Sequence, residues 1–320
     1  MSSILFSVAV LTYNQEKYIA QTLDSILSQN HNFLYEIVIG EDCSTDNTRT
    51  IIEQYAKKYP NIVKPIYNNP NLGLLRNYYS VISHCSGKYI MECAGDDYWL
   101  PGKVKVQIEF MEKNSDVCMC YGNVKCFKES KNTFLEKTCG GIKETFEDLL
   151  KGNSVPTPTV CFKKEMLNEY LNEINPLEQR WLMEDYPMWL YFSHKSKLKY
   201  LDETFAVYRD LNNSLSHSTD INKELKFNES VYDIKRFYVN KYNVDYNLGE
   251  DYNLAVFQIY FGILMQKYNR EYAKKLRIYG SLQSTKKTYK FYCLLSYNIL
   301  LWFLLKIILS IKKQIVRKSN

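Results

Sequence analysis

The stretch GKYIMECAGDDYWLPGKVK, residues 87–105, is the most informative part of this sequence. A largely apolar run of strand length, residues 88–93, leads through a short corner into two adjacent carboxylates, Asp96 and Asp97. Neighbouring carboxylates repel each other, and a hard divalent cation with oxygen ligands relieves that repulsion. Ligands of open α/β sheets bind at the carboxyl ends of strands, where this pair is expected. The alternative is that the pair caps the helix that Pro101 introduces.

Apolar runs of strand length alternate with helical patterns around this stretch. The run ILFSVAVL, residues 4–11, is typical of a strand buried on both faces of a parallel sheet. Helical spacing follows each such run, which predicts βαβ units and a doubly wound, mostly parallel sheet. Strands are expected at residues 4–11, 36–40, 62–67, 88–93 and 116–128, and helices over 16–28 and from about 46 and 74.

The composition is that of a globular protein, with 46% hydrophobic and 24% charged residues among 320. The formal charge of +6 arises at the C-terminal end, because residues 272–320 contain eleven Lys or Arg and no Asp or Glu. A nucleic-acid-binding protein would spread its basic residues over the folded domain, so nucleic acid is not an expected partner. No GxGxxG or GxxxxGK[ST] loop occurs, so a bound nucleotide would be held by side chains at strand ends.

The cysteines and the N-terminus point to the cytosol. The nine cysteines are scattered and form no CxxC pair, so we expect reduced, mostly buried thiols and no zinc site. Residues 4–11 are too short, and lack the basic flank, for a secretory leader.

Polar residues follow the second expected strand in EDCSTDNT, residues 41–48. Ser44 or Asp46 is expected to cap the next helix. Asp42 is not needed for that cap, and its carboxylate could accept hydrogen bonds from a base or from ribose hydroxyls.

Four segments together resemble the family 2 glycosyltransferases, which have the GT-A fold. The segments are TYNQEKYI at 12–19, EDCSTDNT at 41–48, NPNLGLLRN at 69–77 and GDDYW at 95–99. They occur in the order and spacing of that family. The resemblance implies a Rossmann-like GT-A sheet with flanking helices, and inverting transfer of a sugar from a nucleotide-sugar donor with Mg²⁺ or Mn²⁺.

Carried over residue by residue, the resemblance implies a donor site at the strand ends. The residues implied for nucleotide binding are Thr12, Tyr13, Asn14, Asp42, Arg76 and Asp96. Among them, Asp42 would bind the uracil or ribose, and Asp96 would hold the metal and the diphosphate with Asp97 beside it.

A later element of the family is matched by Tyr208-Arg209, Ser214 and Ser216. Arg209 would meet the diphosphate, and an ordinary packing role is the alternative. The sequence departs from the family pattern at Leu211 in place of a common histidine, at Ala94 in place of the first acid of the DxD-type motif, and at Leu11 in place of a common proline.

A second pair of acids, Glu184 and Asp185, lies within RWLMEDYPMWLYFS, residues 180–193. Inverting transfer needs a base that deprotonates the acceptor hydroxyl, and a carboxylate at the start of a helix suits that role. Asp185 could also serve as the helix N-cap. Similarity to the ED motif of the family implies that Asp185 is the base and that Glu184 supports it or the diphosphate.

Residues 291–311, FYCLLSYNILLWFLLKIILSI, carry Lys306 as their only charge. Such a segment could span a bilayer or lie in its interface, and a core helix is the alternative. The sequence around this segment is basic and contains no acid, which favours binding to an anionic membrane surface. We therefore expect the protein at the cytoplasmic face of a membrane, held by its C-terminal tail.

The expected organisation has four parts. These are a nucleotide-sugar-binding half at 1–115, an acceptor-side half at 116–219, accessory helices at 220–290 and a membrane-associating tail at 291–320. The expected function is hexosyl transfer, from a UDP-sugar above all, to a glycan or lipid-linked acceptor in cell-surface polysaccharide synthesis. The alternatives are a non-catalytic nucleotide-sugar-binding or scaffold protein and a sugar nucleotidyltransferase. The latter would need a glycine-rich loop after the first strand.

Overall fold

The computed structural model describes residues 3–211, 220–281 and 287–318. The chain forms two compact units, residues 1–212 and 213–320. The two halves expected at 1–115 and 116–219 therefore fall in one unit, apart from the last few residues. Ser214 and Ser216 lie outside the described residues.

The first unit is an α/β domain built on a single sheet. Its strands are β1 (Phe6–Thr12), β2 (Tyr35–Glu41), β3 (Val63–Tyr67), β4 (Tyr89–Ala94), β5 (Tyr98–Trp99), β6 (Val117–Lys128), β7 (Thr133–Phe134), β8 (Cys161–Lys163) and β9 (Lys197–Asp210). Its α-helices are α1 (Ile19–Leu27), α2 (Thr48–Lys58), α3 (Leu74–His84), α4 (Lys103–Lys113), α5 (Phe146–Lys151), α6 (Lys164–Ile174) and α7 (Asp185–Lys195). Two 3₁₀ helices, Glu129–Lys131 and Thr157–Thr159, lie between them.

The strand order is β3-β2-β1-β4-β8-β6-β9-β5, with β7 paired to β6. Strands β1 to β4 pair in parallel, which confirms the expected Rossmann-like half. The other half is mixed, because β8 is antiparallel to both β4 and β6 while β9 runs parallel to β6. The carboxyl ends of β1, β2 and β4 consequently meet at one edge.

The expected apolar runs form the core of this unit. Val8, Val10 and Ile39 are fully buried, and truncating such a side chain to alanine costs about 2–5 kcal/mol. The helix expected from residue 16 begins later, at Ile19. The preceding turn, residues 15–18, instead binds side chains that follow β2.

The cysteines differ from expectation at one pair. Cys126 and Cys139 form a disulfide, with their Cα atoms 6.6 Å apart. The expectation of reduced thiols is wrong here, because backbone hydrogen bonds of 2.9 Å between Val124 and Cys139 bring the second cysteine beside β6. Of the seven free cysteines, five are buried, as expected.

The second unit consists of helices around a core of its own. They are α8 (Ile221–Tyr242), α9 (Leu248–Gln266), α10 (Arg270–Ser281), α11 (Lys287–Leu295) and α12 (Ile299–Lys318). The apolar segment 291–311 is thus divided between two helices. Trp302 and Leu305 of α12 are buried against residues of α9 and α10, and the Trp302 indole donates to the Leu264 carbonyl at 2.9 Å. Among the described residues, no helix combines the length and apolarity required to cross a membrane.

Candidate active site

The loops after β1 and β2 are joined by hydrogen bonds at the shared strand edge. The Asn14 amide donates to the Ser44 hydroxyl at 3.0 Å, and the Asn14 side chain accepts from the Thr45 amide at 2.8 Å. The N-cap of α2 is Asn47, whose side chain makes no capping hydrogen bond, so the expectation that Ser44 or Asp46 caps this helix is wrong. Asp46 lies one residue earlier and accepts from the Thr48 amide at 3.0 Å. This network holds Asn14 at φ 54° and fixes the loop implied for base binding.

Asp42 is held by a loop that sequence reasoning did not connect with it. Its side chain is buried, with 4% of the residue exposed. It accepts hydrogen bonds from the Asn68 side chain at 2.9 Å and from the Leu72 and Gly73 amides at 2.8 and 2.9 Å. Asp42 therefore anchors the NPNLG loop ahead of α3, and a base or ribose contact would use only its remaining acceptor capacity. Arg76 lies exposed in the first turn of that helix.

The corner after β4 requires glycine. A Cβ at Gly95 would lie 2.4 Å from Gln15 Oε1 and 2.7 Å from Thr12 Oγ1. These two oxygens are buried and have no hydrogen-bond partner within the described part of the chain. Thr12 thus lies beneath the corner rather than in the exposed loop with Tyr13, which is 48% exposed.

Asp96 and Asp97 have different environments. Asp97 is 2% exposed and accepts the Arg209 amide at 2.9 Å, while burial and the neighbouring charge of Asp96 raise its pKa. Asp96 is partly exposed, and burial raises its pKa also. Asp97 therefore holds β9 against the corner, and Asp96 is the more exposed acid of the pair.

Arg209 is packed into the same corner. Its guanidinium donates to the Asp96 carbonyl and to Gln21, and lies 5.0 and 4.9 Å from the ring centres of Tyr18 and Tyr98. Only 6% of the residue is exposed. The packing role is therefore present in the structure.

The corner after β4 is the position implied for a divalent cation. Within residues 3–211, 220–281 and 287–318, no three His, Cys, Asp or Glu side chains cluster to hold a metal by themselves. The corner supplies the Asp96 carboxylate, which hydrogen-bonds with Gln15, and two buried oxygens under Gly95, Thr12 Oγ1 and Gln15 Oε1, that lack a partner among the described residues. Mg²⁺ is commonly bound by one or two carboxylates together with substrate phosphates, so these residues fit such an ion.

The second acid pair lies where α7 begins. Asp185 is the first residue of the helix and not its N-cap, which is Glu184. Burial and the charge of Asp185 raise the pKa of Glu184 to about 8, and burial raises the pKa of Asp185. Glu184 is therefore protonated at neutral pH. Adjacent carboxyls whose pKa values are raised by burial are typical of sites that transfer protons.

Glu92 of β4 is a third acid near this pair, which sequence reasoning missed. It is 3% exposed and accepts a hydrogen bond from the Tyr78 hydroxyl at 2.5 Å. Burial, together with the charges of Glu184 and Asp185, raises its pKa to about 8 despite the Tyr78 hydrogen bond. The sequence does offer a signal for Glu92, which is a single acidic residue inside an apolar run of strand length.

This α/β sheet, with an acidic corner after β4 and an acid pair at α7, defines a protein of the GT-A glycosyltransferase class. The sequence matches "Glycosyl transferase family 2" over residues 7–171, just over half of the chain. The chain therefore belongs to glycosyl transferase family 2.

Individual relatives agree with that assignment. An uncharacterised protein of Mycobacterium tuberculosis is 29% identical over 66% of this chain and 60% of its own length, so the chain spans well under two thirds of that relative. The Escherichia coli UDP-Glc:alpha-D-GlcNAc-diphosphoundecaprenol beta-1,3-glucosyltransferase WfgD is 26% identical over 71% of this chain and 84% of its own. The Staphylococcus aureus TarS structure in complex with UDP superposes with a TM-score of 0.58 at 19% identity, covering 86% of this chain and 80% of that one, which shows a shared fold.

Proposed function

We propose that this protein transfers a sugar from a nucleotide-diphosphate sugar, a UDP-sugar above all, to a glycan or lipid-linked acceptor with inversion at the anomeric carbon. The observation that carries the proposal is the acid pair at α7. Asp185 accepts hydrogen bonds at both carboxylate oxygens, which favour its ionised form, and we assign it as the base. Burial and the charge of Asp185 raise the pKa of its neighbour Glu184 to about 8.

The proposed reaction is one displacement. The acceptor hydroxyl gives its proton to the Asp185 carboxylate, and its oxygen forms a bond to the anomeric carbon. The bond from that carbon to the phosphate oxygen breaks, and its electron pair leaves with the nucleoside diphosphate. Bound Mg²⁺ or Mn²⁺ would neutralise charge on the departing diphosphate, and Asp96 would hold that ion beside Thr12 and Gln15.

The donor is proposed to bind along the edge formed by β1, β2 and β4. Tyr13 is exposed and Asn14 is fixed by its hydrogen bonds, so both can contact a base. The resemblance places Asp42 and Arg76 on the nucleotide side too. UDP as the leaving group is supported by the UDP-glucose donor in the name of WfgD and by the UDP bound to TarS.

Cell-surface polysaccharide synthesis is proposed as the setting. WfgD carries a lipid-diphosphate acceptor in its name, which supports an acceptor of the same class here. A non-catalytic scaffold is the second candidate, because Ala94 removes the first acid of the DxD-type motif.

The C-terminal helices are proposed to lie on the anionic cytoplasmic face of a membrane. Large apolar side chains on α11, on α12 and in the turn between them are exposed, although Trp302 and Leu305 pack inside the unit. Those that are more than half exposed are Phe291, Leu294, Tyr297, Leu300, Leu304 and Ile307. Apolar side chains next to a basic, acid-free sequence favour an interfacial position.

Two measurements test the proposed reaction. Calorimetric titration with UDP, GDP and dTDP, with and without Mn²⁺, should show metal-dependent binding of one nucleotide. Asp185→Asn should then bind that nucleotide normally while transfer falls by about 10²–10⁴-fold, the usual contribution of a general base. Transfer near the wild-type rate would refute the role of Asp185. Metal-dependent binding by a wild-type protein that never turns over would favour the scaffold.

A further inference from the structure

Two side chains from the segment before β8 converge on one oxygen of Asp185. The Asn153 amide nitrogen and the Thr157 hydroxyl each lie 3.3 Å from Asp185 Oδ2. The other oxygen, Oδ1, accepts the Tyr186 amide at 2.7 Å. The carboxylate is therefore held at both oxygens.

The orientation of Asn153 is fixed independently. Its carbonyl oxygen accepts the Val155 amide at 3.0 Å, so its NH₂ group is the one directed at Asp185. Thr157 begins the 3₁₀ helix Thr157–Thr159, which places its hydroxyl beside the start of α7.

A buried polar network holds this segment in place. The Thr159 carbonyl accepts from the Gln107 side chain at 2.7 Å, and the Thr159 hydroxyl lies 3.1 Å from the Gly122 carbonyl. Lys103, which is fully buried, donates to the Val160 carbonyl at 3.3 Å. Residues of α4 and β6 thus set the position of the two donors.

We propose that Asn153 and Thr157 are positioning residues that hold Asp185 Oδ2, so that the carboxylate is fixed for abstracting the acceptor proton. This inference rests on the proposed function, since the two residues position the carboxylate that is proposed there as the catalytic base. Charge-assisted hydrogen bonds to a carboxylate favour its ionised form.

Other titratable groups lie close to Asp185, so the hydrogen bonds from Asn153 and Thr157 affect its pKa. The titratable groups that face Asp185 are Glu184 beside it, Glu92 on β4 and Tyr79 on α3. Burial raises the pKa of Asp185, whereas the Tyr186 amide, Thr157 and Asn153 lower it. Loss of the two side-chain donors would therefore raise the pKa of Asp185 further.

The test is a ¹³C titration of the full-length protein labelled at aspartate carboxyls, with the Asp185 signal assigned by its loss in Asp185→Asn. Thr157→Val and Asn153→Ala should each raise the Asp185 pKa by about one unit, because a hydrogen bond to a charged group is worth about one such step. Thr157→Ser, which keeps the hydroxyl, should titrate as the wild type. Ser154→Ala, an exposed neighbour, is the matched control.

Nucleotide release from UDP-glucose, UDP-N-acetylglucosamine and GDP-mannose, with water as acceptor, gives a second readout. The acidic limb of kcat/KM should move to higher pH in Thr157→Val and Asn153→Ala by the same amount as the carboxyl pKa. An unchanged Asp185 pKa in both variants would overturn the inference even in an active enzyme. Raised pKa values without nucleotide release from any donor would uphold the contacts and overturn the transfer function.

Discussion

The Tyr78 hydroxyl and the Glu92 carboxyl form a buried hydrogen bond of 2.5 Å between α3 and β4. The second carboxyl oxygen of Glu92 has no partner among the residues that the structure describes. An ionised carboxylate would be poorly compensated in this position, so Glu92 keeps its proton to about pH 8. The strand that ends in the acidic corner thus carries a neutral acid in its interior.

Glu92→Gln should make folding stability less sensitive to rising pH between about pH 5 and about pH 8. The folded protein holds the Glu92 proton up to about pH 8, whereas the unfolded chain releases it near the ordinary pKa of 4.5. Unfolding therefore releases a proton in this window, and stability falls as the pH rises. From about pH 5 to about pH 8 the wild type should lose about 2–4 kcal/mol more than Glu92→Gln. Urea unfolding at both pH values measures the difference.

The control for that experiment is Glu109→Gln, at an exposed position on α4. Its folding stability should change with pH as that of the wild type does. Parallel pH dependence of Glu92→Gln and the wild type would show that Glu92 is not protonated in the folded state.

The Glu36 carboxylate should affect stability in the opposite direction, because it stabilises the folded protein at neutral pH and not in acid. Burial acts to raise the pKa of Glu36, but hydrogen bonds from Lys64, Ser7 and Ser86 outweigh it and lower the pKa to about 2. The contribution of Glu36 is thus complete above its ordinary pKa of 4.5 and is lost as the pH falls towards 2. After allowance for screening at the half-exposed Lys64, Glu36→Gln should cost about 2 kcal/mol at neutral pH.

The same substitution should remove part of the acid sensitivity. Urea midpoints at neutral pH and at about pH 3 should lie closer together in Glu36→Gln than in the wild type. Glu53→Gln, at an exposed position on α2, is the comparison. Equal acid sensitivity in all three proteins would contradict the assignment.

Asp96→Ala and Asp97→Ala should separate nucleotide binding from folding. Asp96→Ala should abolish the effect of Mn²⁺ on UDP affinity and leave Tm nearly unchanged, because Asp96 is partly exposed and its carboxylate holds no other element in place within the part of the chain that the structure describes. Asp97→Ala leaves the buried Arg209 amide without its acceptor, which should cost about 1–3 kcal/mol and lower Tm by about 2–8 °C. Calorimetry and thermal unfolding measure the two effects, and a reversed pattern would exchange the roles of the two acids.

Triple replacement of Leu300, Leu304 and Ile307 by Glu should release the protein from anionic vesicles. These side chains are 73%, 52% and 57% exposed, so the second unit should remain folded. Loss of apolar insertion and added repulsion should weaken binding to phosphatidylglycerol vesicles by about tenfold or more. Sedimentation with vesicles measures it.

The control for vesicle binding is Lys223→Glu with Lys226→Glu, at exposed positions on α8, which lowers the net charge at least as much. Equal loss of binding in both variants would mean that net charge alone governs attraction. Unaltered binding of the triple variant would exclude this surface as the anchor.

The sequence predicted which residues lie at the ends of strands, but not the directions in which their side chains point. Asp96 and Asp97 were both expected at a metal, yet Asp97 turns inward to the amide of Arg209, 112 positions away in the chain. Asp42 was expected to bind the uracil or ribose, and its carboxylate also accepts from the amides of Leu72 and Gly73, which the sequence did not indicate. Side-chain directions depend on contacts between distant segments, which spacing along the chain does not specify.

The sequence by itself determined the alternating pattern, the family resemblance and the positions of the acids at the ends of apolar runs, because period and local order are properties of neighbouring residues. Tertiary structure decided which acids ionise and what holds them. Burial beside Glu184 and the donors from Asn153 and Thr157 act on Asp185 across about thirty residues of chain, and the pKa of a carboxyl depends on the sum of such non-local effects. Tertiary structure also divides the apolar segment 291–311 between two helices. Trp302 and Leu305 of that segment pack in the hydrophobic core of the second unit.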